Sequence, residues 1–237
     1  RGLGDVYKRQ AEVGAFLSVA SKAAAVALLV RVAFAFSAPV TEDVVGMSAN
    51  AVANTDVRHF IVYVIGLFAA VTCTFGNLAA YGQTNMKRLL AYSTIAHAGY
   101  IMMAVAAAVA LVTTSPEGAR DAVSAVAFYL ATYLFMNLGA FGIVALLRNR
   151  LKSEEISSYA GLIRVNPGIV VATAVVLVSL IGLPPLAGFV AKFLVFSALV
   201  DAITAGAESP LMLSLVVIGG FNTVVSLFYY LRVLKVM

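Results

Sequence analysis

Only 11% of the 237 residues are charged, 62% are hydrophobic, and the mean hydropathy is +0.98. A soluble domain of this size cannot hide so much apolar surface, because its outer shell must face water. The composition excludes an ordinary soluble enzyme and indicates an integral membrane protein. Loops rich in lysine and arginine on one side of a membrane explain the net charge of +5, so nucleic acid is not an expected partner.

Six apolar stretches are each long enough to cross a bilayer as a helix, which takes about 20 apolar residues. In chain order they are Val13–Ser37, Phe60–Ala80, Leu89–Val112, Ala122–Leu147, Gly168–Ala205 and Leu211–Val236. A helix satisfies its backbone N–H and C=O groups within its own segment, as the membrane interior requires. We therefore predict an all-α fold, a polytopic bundle of transmembrane helices.

The fifth stretch is too long for one straight crossing. Its 38 residues correspond to roughly 57 Å of helix, against a hydrocarbon core of about 30 Å. Near its middle lies the sequence GLPPLAGF, with Pro184, Pro185 and Gly188. Adjacent prolines remove two backbone donors and clash with the preceding turn, so these residues mark a helix break. The stretch makes either one crossing by a broken helix or two crossings.

Loop charges favour the single broken crossing. With six spans, ten lysines and arginines lie on the side that holds both ends of the chain, and two lie on the other side. The ten are Lys8, Arg9, Lys87, Arg88, Arg148, Arg150, Lys152, Arg164, Arg232 and Lys235; the two are Arg58 and Arg120. Two crossings would weaken this bias. Because positive loops stay inside, we predict six spans, an interrupted fifth span and cytoplasmic ends.

Two lysines lie within apolar stretches, where an ionisable group is costly unless it is paired or hydrated. Lys22 is about 13–14 Å into the first stretch, from the rise of a helix, unless that helix begins later and Lys22 is interfacial. Lys192 follows the two prolines in the sequence FVAKFLVF. Burial disfavours the charged form of lysine, so such a group can release and regain a proton at physiological pH.

His97 lies in the middle of the third stretch, within YSTIAHAGY. Ser93, Thr94 and Tyr100 give its helix a polar face, so His97 is either a proton relay or a partner in hydrogen bonds between helices. On the fourth stretch, Tyr129, Tyr133 and Asn137 follow one another at intervals of four residues. Helix packing is their expected role.

Motifs of soluble redox enzymes are absent from the sequence. There is no dinucleotide-binding GxGxxG with a suitable acidic residue, no Walker loop, no HExxH and no CxxC. The single cysteine, Cys73, excludes a disulfide or a metal site built on several cysteines within the chain. We expect no bound cofactor or metal on this chain.

Five stretches together resemble the antiporter-like membrane subunits of NADH-quinone oxidoreductase (complex I), most closely subunit N. They are GNLAAYGQTNMKRLLAYSTIAHAGYIMM (76–103), YLATYLFMNLGAFGIVALL (129–147), YAGLIRVNP (159–167), SLIGLPPLAGFVAKFLVF (179–196) and FNTVVSLFYYLRVLKVM (221–237). The first stretch and the GxPPxxGFxxKF pattern are specific to these proteins. Together, the five stretches cover most of the chain after residue 75.

The resemblance implies a proton-translocating role. Lys22 matches the lysine of the family's SK or PK position, His97 matches the histidine of SIAH, and Lys192 matches the lysine after the broken helix. In the family, these residues belong to a hydrated polar axis, and quinone reduction elsewhere in the complex drives pumping through it. NADH, flavin, iron–sulfur clusters and quinone are expected on other subunits. The expected partners are other membrane-arm subunits and the lipid bilayer. The expected location is the bacterial inner (plasma) membrane.

The sequence also departs from the family pattern. Members have a further half upstream, with a glutamate and another lysine of the axis, and a last helix that would follow Met237. The first residues, RGLGDVYKRQAEVG, differ from the segment rich in Gly, Ala and Pro that precedes the matching lysine in members of the family. We therefore expect residues 1–10 to be a non-native or disordered leader, and residues 11–237 to be a partial antiporter-like domain.

Three alternatives remain open at this point. The chain could be a subunit of a multi-subunit cation/proton antiporter, whose helices are similar. It could belong to a hydrogenase-linked membrane arm. It could also be a scaffold in which the polar residues only hold helices together.

Overall fold

A computed structural model describes residues 10–37 and 48–237, with side chains for 20–37 and 55–237. The described residues form eight α-helices and one 3-10 turn. The helices are α1 (Gln10–Ser37), α2 (Ser48–Tyr81), α3 (Met86–Leu111), α4 (Pro116–Leu151), α5 (Leu162–Val165), α6 (Pro167–Ile181), α7 (Ala187–Thr204) and α8 (Ser209–Val236). This confirms the all-α prediction. The expected leader lies outside the described residues, except for Gln10, the first residue of α1.

Six of the described helices are long and apolar enough to cross a membrane: α1, α2, α3, α4, α7 and α8. Two of them extend well beyond the apolar stretches of the sequence. Helix α2 starts at Ser48 rather than near Phe60, and α4 starts at Pro116 rather than at Ala122. The start of α4 is set by Ser115, whose hydroxyl accepts a hydrogen bond from the Gly118 N–H at 3.2 Å, a capping bond that hydropathy does not reveal.

Helix α3 lies at the centre of the bundle. Nineteen of its 26 residues are buried, whereas only 17% of the apolar part of α1 is buried. Its neighbour α2 packs very close to it. A Cβ added to Gly99 would lie only 2.5 Å from the backbone nitrogen of Cys73. Small residues of this kind allow two membrane helices to pack backbone against backbone.

The fifth apolar stretch forms two helices instead of one. Helix α6 ends at Ile181, Gly182 follows with a positive φ of 86°, and α7 begins at Ala187. Pro184 and Pro185, joined by a cis peptide bond, lie between the two helices. Helical hydrogen bonding stops here because proline has no backbone N–H to donate.

Helices α6 and α7 follow one another along the length of α4. Residues of α6 line a crevice with residues 140–147 of α4, and residues of α7 line a cleft with residues 121–128. Between these two regions, the hydroxyl of Ser179 contacts the Sδ of Met136 at 2.9 Å. Together, α6 and α7 therefore traverse the bundle once, antiparallel to α4, as one broken helix.

The connector between α4 and α6 is docked against the start of α3. The Met86 N–H donates to the Glu154 carbonyl at 2.9 Å, and the Ile156 N–H donates to the Thr84 carbonyl at 2.9 Å. Tyr159, which ends the 3-10 turn within this connector, is buried. Burial, with a smaller contribution from the Glu154 and Glu155 carboxylates, raises the pKa of Tyr159 to about 12, so its phenol stays neutral at physiological pH.

Candidate proton-transfer site

The side chain of Lys192 is buried, with 4% of it exposed, at the break between α6 and α7. Its Nζ donates a hydrogen bond of 2.8 Å to the carbonyl oxygen of Ile181. In a continuous helix that carbonyl would accept from the N–H four residues later, but this residue is Pro185, which has none. The proline therefore leaves free the acceptor that Lys192 uses.

The ring of Tyr100 is the second partner of the Lys192 ammonium. Nζ lies 4.7 Å from the ring centroid, a distance at which the π face attracts a cation. The hydroxyl of Tyr100 lies 3.0 Å from the Oγ1 of Thr223 and donates to the Gly219 carbonyl at 3.2 Å. These contacts fix the ring beneath the ammonium, so the charge is held by neutral groups.

Three tyrosines surround His97, which is only 3% exposed. Its Nδ1 lies 2.7 Å from the hydroxyl of Tyr129. The centroid of its ring lies 5.1 Å from that of Tyr133 and 6.2 Å from that of Tyr100. From the sequence alone, Tyr129 and Tyr133 are assigned to helix packing; the structure places both against His97, so they belong to the candidate site.

Lys22 is half-buried and borders a cavity of about 170 Å³ between α1, α3 and α4. Tyr133 lines the same cavity, so its ring lies between Lys22 and His97. The part of α3 that borders this cavity includes Ala98 and Ile101, near the middle of that helix. Lys22 therefore lies beside the middle of α3.

The ionisable residues lie at one level of the bundle, on two sides of His97. Lys22 borders the face of α3 that carries Ala98, whereas Lys192 contacts Tyr100, which is about half a turn away at 100° per residue. His97 and Lys192 contact the same Tyr100 ring, and Tyr133 both packs against His97 and lines the cavity that Lys22 borders. The order across the bundle is Lys22, Tyr133, His97, Tyr100 and Lys192.

Gly188 allows α7 to start directly against the end of α6. Its N–H donates to the hydroxyl of Ser179 at 3.2 Å. A Cβ on Gly188 would overlap the carbonyl oxygen of Ser179. The absence of a side chain at Gly188 therefore sets the geometry of the break, which in turn places Lys192 one turn further along α7.

Neutral polar residues form a second buried cluster. A search of the sequence for ionisable residues does not find it. Asn77, Asn222 and Tyr229 are each 0–1% exposed and join α2 to α8. Asn77 Nδ2 donates to Asn222 Oδ1 at 3.1 Å, and the Tyr229 hydroxyl donates to Asn77 Oδ1 at 3.0 Å. The available signal was an amide within an otherwise apolar stretch.

Within the part of the chain that the structure describes, no group of three or more His, Cys, Asp or Glu residues could hold a metal ion. The polar residues around His97 and Lys192 instead offer hydroxyl, imidazole and ammonium groups. Groups of this kind can bind and release protons. The arrangement suits proton transfer across the bundle.

Replacing Tyr129 with phenylalanine is expected to destabilise the bundle by about 1 kcal/mol, because Nδ1 of His97 loses its partner in a buried site. Tyr63→Phe is the matched control, since Tyr63 is 48% exposed on α2. The midpoint of thermal unfolding, measured on the purified protein, should fall for Tyr129→Phe and stay unchanged for Tyr63→Phe. Equal midpoints for the two variants would show that the His97–Tyr129 contact contributes nothing.

A bundle of membrane-spanning helices with ionisable residues beside a broken helix is typical of antiporter-like membrane subunits. The chain belongs to the family described as NADH:quinone oxidoreductase/Mrp antiporter, transmembrane, whose model matches residues 3–224. The predicted family is therefore confirmed, and the chain is an integral membrane protein.

A curated relative is the NADH-quinone oxidoreductase subunit N of Anaeromyxobacter sp. (strain Fw109-5). It is 43% identical over 223 residues, which cover 94% of this chain and 40% of that protein. The chain thus spans about 40% of the length of this relative and of two further curated subunit N relatives.

Two solved structures share the fold. A chain of respiratory complex I from Thermus thermophilus with bound aureothin is 34% identical, with a TM-score of 0.56, covering 73% of this chain and 35% of that chain. A chain of the Mrp complex from Dietzia sp. DQ12-45-1b is 24% identical, with a TM-score of 0.61, covering 74% of this chain and 30% of that chain. At that identity, the Mrp likeness concerns the fold alone.

Proposed function

We propose that this chain acts in a proton-translocating membrane subunit of NADH-quinone oxidoreductase, of the subunit N type. The identity of 43% to a subunit N, against 24% to a chain of the Mrp complex, favours the oxidoreductase over a cation/proton antiporter. One observation carries the proposal. Lys22 and Lys192 lie at one level of the bundle on two sides of His97, and tyrosine rings fill the spaces between them.

Lys192 exchanges protons with one aqueous face in this proposal. Its Nζ is held by the Ile181 carbonyl and the Tyr100 ring, neither of which carries a charge that would fix the ammonium in its protonated form. The broken helix supplies free backbone groups, which are tolerated within a membrane beside a cavity or a water-filled path. Such a path gives the proton its way in and out.

Lys22 and His97 pass protons across the bundle. His97 can take up a proton at one ring nitrogen and release it from the other, and the hydroxyl of Tyr129 at Nδ1 influences which nitrogen carries it. Lys192 and His97 contact the same Tyr100 ring, so a proton on one repels a proton on the other as a like charge. Whether one of these residues carries a proton therefore influences whether the next one does.

We place the chain in the bacterial inner membrane with both of its ends on the cytoplasmic side, as the loop charges indicate. Its partners are other membrane-arm subunits and the surrounding lipid. NADH, flavin, iron–sulfur clusters and quinone are bound by other subunits, whose quinone chemistry drives proton transfer through this chain.

Lys192→Ala is expected to lower proton pumping several-fold while the complex still assembles, because the variant loses the proton-exchanging Nζ but keeps the helices. The number of protons moved per electron is measured with the complex in sealed vesicles. Lys235→Ala, which changes an exposed lysine on α8, should behave like the wild type. An unchanged proton-to-electron ratio in Lys192→Ala would count against the proposed function.

A further inference from the structure

The side chain of Lys192 follows a confined course from α7 to the end of α6. A Cβ added to Gly182 would lie 2.8 Å from Cδ of Lys192 and 3.5 Å from its Cε, so the stem of the lysine passes directly over the backbone of this glycine. Beyond it, Nζ donates to the Ile181 carbonyl at 2.8 Å. The ammonium is therefore held at one position beside the helix break.

A buried ammonium needs compensation for the water that it gives up. Within the part of the chain that the structure describes, no carboxylate lies within ion-pair distance of Lys192. The Ile181 carbonyl supplies a hydrogen bond. The face of the Tyr100 ring supplies the other contact, because its centroid lies 4.7 Å from Nζ.

Helix α8 holds the Tyr100 ring in place through the hydroxyl at its far end. This hydroxyl donates to the Gly219 carbonyl at 3.2 Å and lies 3.0 Å from Oγ1 of Thr223. Gly219 lets α8 come close to α7, because a Cβ there would lie 2.8 Å from the ring of Phe196. The tyrosine is thus anchored at its hydroxyl, while its ring face meets Lys192.

A ring face and a carboxylate stabilise an ammonium to different degrees. The face attracts a cation through the quadrupole of the ring, without a full negative charge. A carboxylate at the same place would form an ion pair and strongly favour the protonated lysine. An aliphatic side chain would give no such attraction, and burial would then favour the neutral amine. The ring therefore supports the ammonium without fixing the proton on it.

We propose that the face of the Tyr100 ring takes the place of a counter-ion for Lys192, so that the buried lysine can both take up a proton and release it. Tyr100 is a positioning residue in this role, because it acts on proton transfer through Lys192 and takes no proton itself. The inference rests on the proposed function, since it concerns how the proton-exchanging residue of that function is loaded.

Fluorination of the ring at position 100 tests the face directly. Fluorine withdraws electrons from the ring face, which weakens its attraction for a cation, and it changes the shape of the ring little. Tyr100→Phe, which lacks the hydroxyl, is the reference, and phenylalanines with one, two or three ring fluorines are compared with it. We expect each fluorine to lower the proton-to-electron ratio of the complex in sealed vesicles, several-fold over the series.

The same series of fluorinated phenylalanines at Tyr63, which is 48% exposed on α2, is the matched control and should leave the ratio unchanged. The thermal midpoint of the complex should stay at the value of Tyr100→Phe throughout the series at position 100, because only the electrons of the ring change. Tyr100→Leu removes the face altogether. It should lower pumping as far as Lys192→Ala does, and combining the two substitutions should lower it no further.

A ratio that stays at the Tyr100→Phe value in every fluorinated variant would overturn the role of the ring face. If Tyr100→Phe assembles poorly, fluorinated tyrosines, which keep the hydroxyl, are compared with the wild type in the same way. The proposed function is judged separately by pumping in Lys192→Ala. Lost pumping there, together with no effect of fluorine, would refute the role of Tyr100 alone, whereas unchanged pumping there would refute the function itself.

Discussion

Gly188→Ala is expected to distort the helix break, lowering both the stability of the complex and its proton pumping. The new Cβ would overlap the carbonyl oxygen of Ser179, with the Sδ of Met136 a further 3.1 Å neighbour. A backbone carbonyl cannot move aside as the end of a flexible side chain can, so the two helix ends must separate. Overpacking of this kind costs about 1–3 kcal/mol and occasionally more, and we expect the upper part of that range.

Pumping falls because the break also positions Lys192. Residue 192 is four residues after Gly188, one turn along α7, and its Nζ reaches back to the Ile181 carbonyl at 2.8 Å. Moving the start of α7 away from α6 lengthens this hydrogen bond. The ammonium of Lys192 then loses the acceptor that holds it in place.

Gly220→Ala is the control for Gly188→Ala, since the same change on α8 meets nothing within 4 Å. It should be neutral or gain up to about 1 kcal/mol, the difference in helix propensity between glycine and alanine. The thermal midpoint of the purified complex and the proton-to-electron ratio are measured for both variants. Equal results for the two would contradict a tight fit at Gly188.

The fold follows closely from the sequence because its main signals are local. Long apolar runs identify the crossing helices, and Pro184 and Pro185 locate the break, since each effect acts within one turn of helix. The starts of α2 and α4 are less visible. Their first turns are polar, so hydropathy places the helix start near Phe60 and Ala122 instead of Ser48 and Pro116.

Lys22, His97 and Lys192 stand out in the sequence because an ionisable group in an apolar stretch is rare and costly. The free acceptor that Lys192 uses can also be inferred from the sequence. Pro185 is the residue whose N–H the Ile181 carbonyl would otherwise use, so a free acceptor near Lys192 follows from helix geometry.

The links between these residues could not be predicted in the same way. The contact of His97 with Tyr129 joins α3 to α4, and the contact of Asn77 with Asn222 joins residues that are 145 positions apart. Such contacts depend on which faces of the helices meet, and the helices here are apolar on most sides. A single sequence therefore leaves the partners of Tyr129, Tyr133 and Asn77 undetermined.

Combining Lys22→Ala with Lys192→Ala is expected to lower pumping no further than the more severe single variant does. If both lysines belong to one route through His97, the loss of either residue already interrupts it. Residues that act as a unit give effects that do not add, whereas independent residues give effects that do. The double variant therefore tests whether the arrangement across the bundle is one pathway.

The decisive measurement is the proton-to-electron ratio of the assembled complex in sealed vesicles, compared among the wild type, the two single variants and the double variant. One route through Lys22, His97 and Lys192 predicts a large loss in each single variant and no further loss in the double variant. Normal pumping in the double variant, or losses that add, would contradict it.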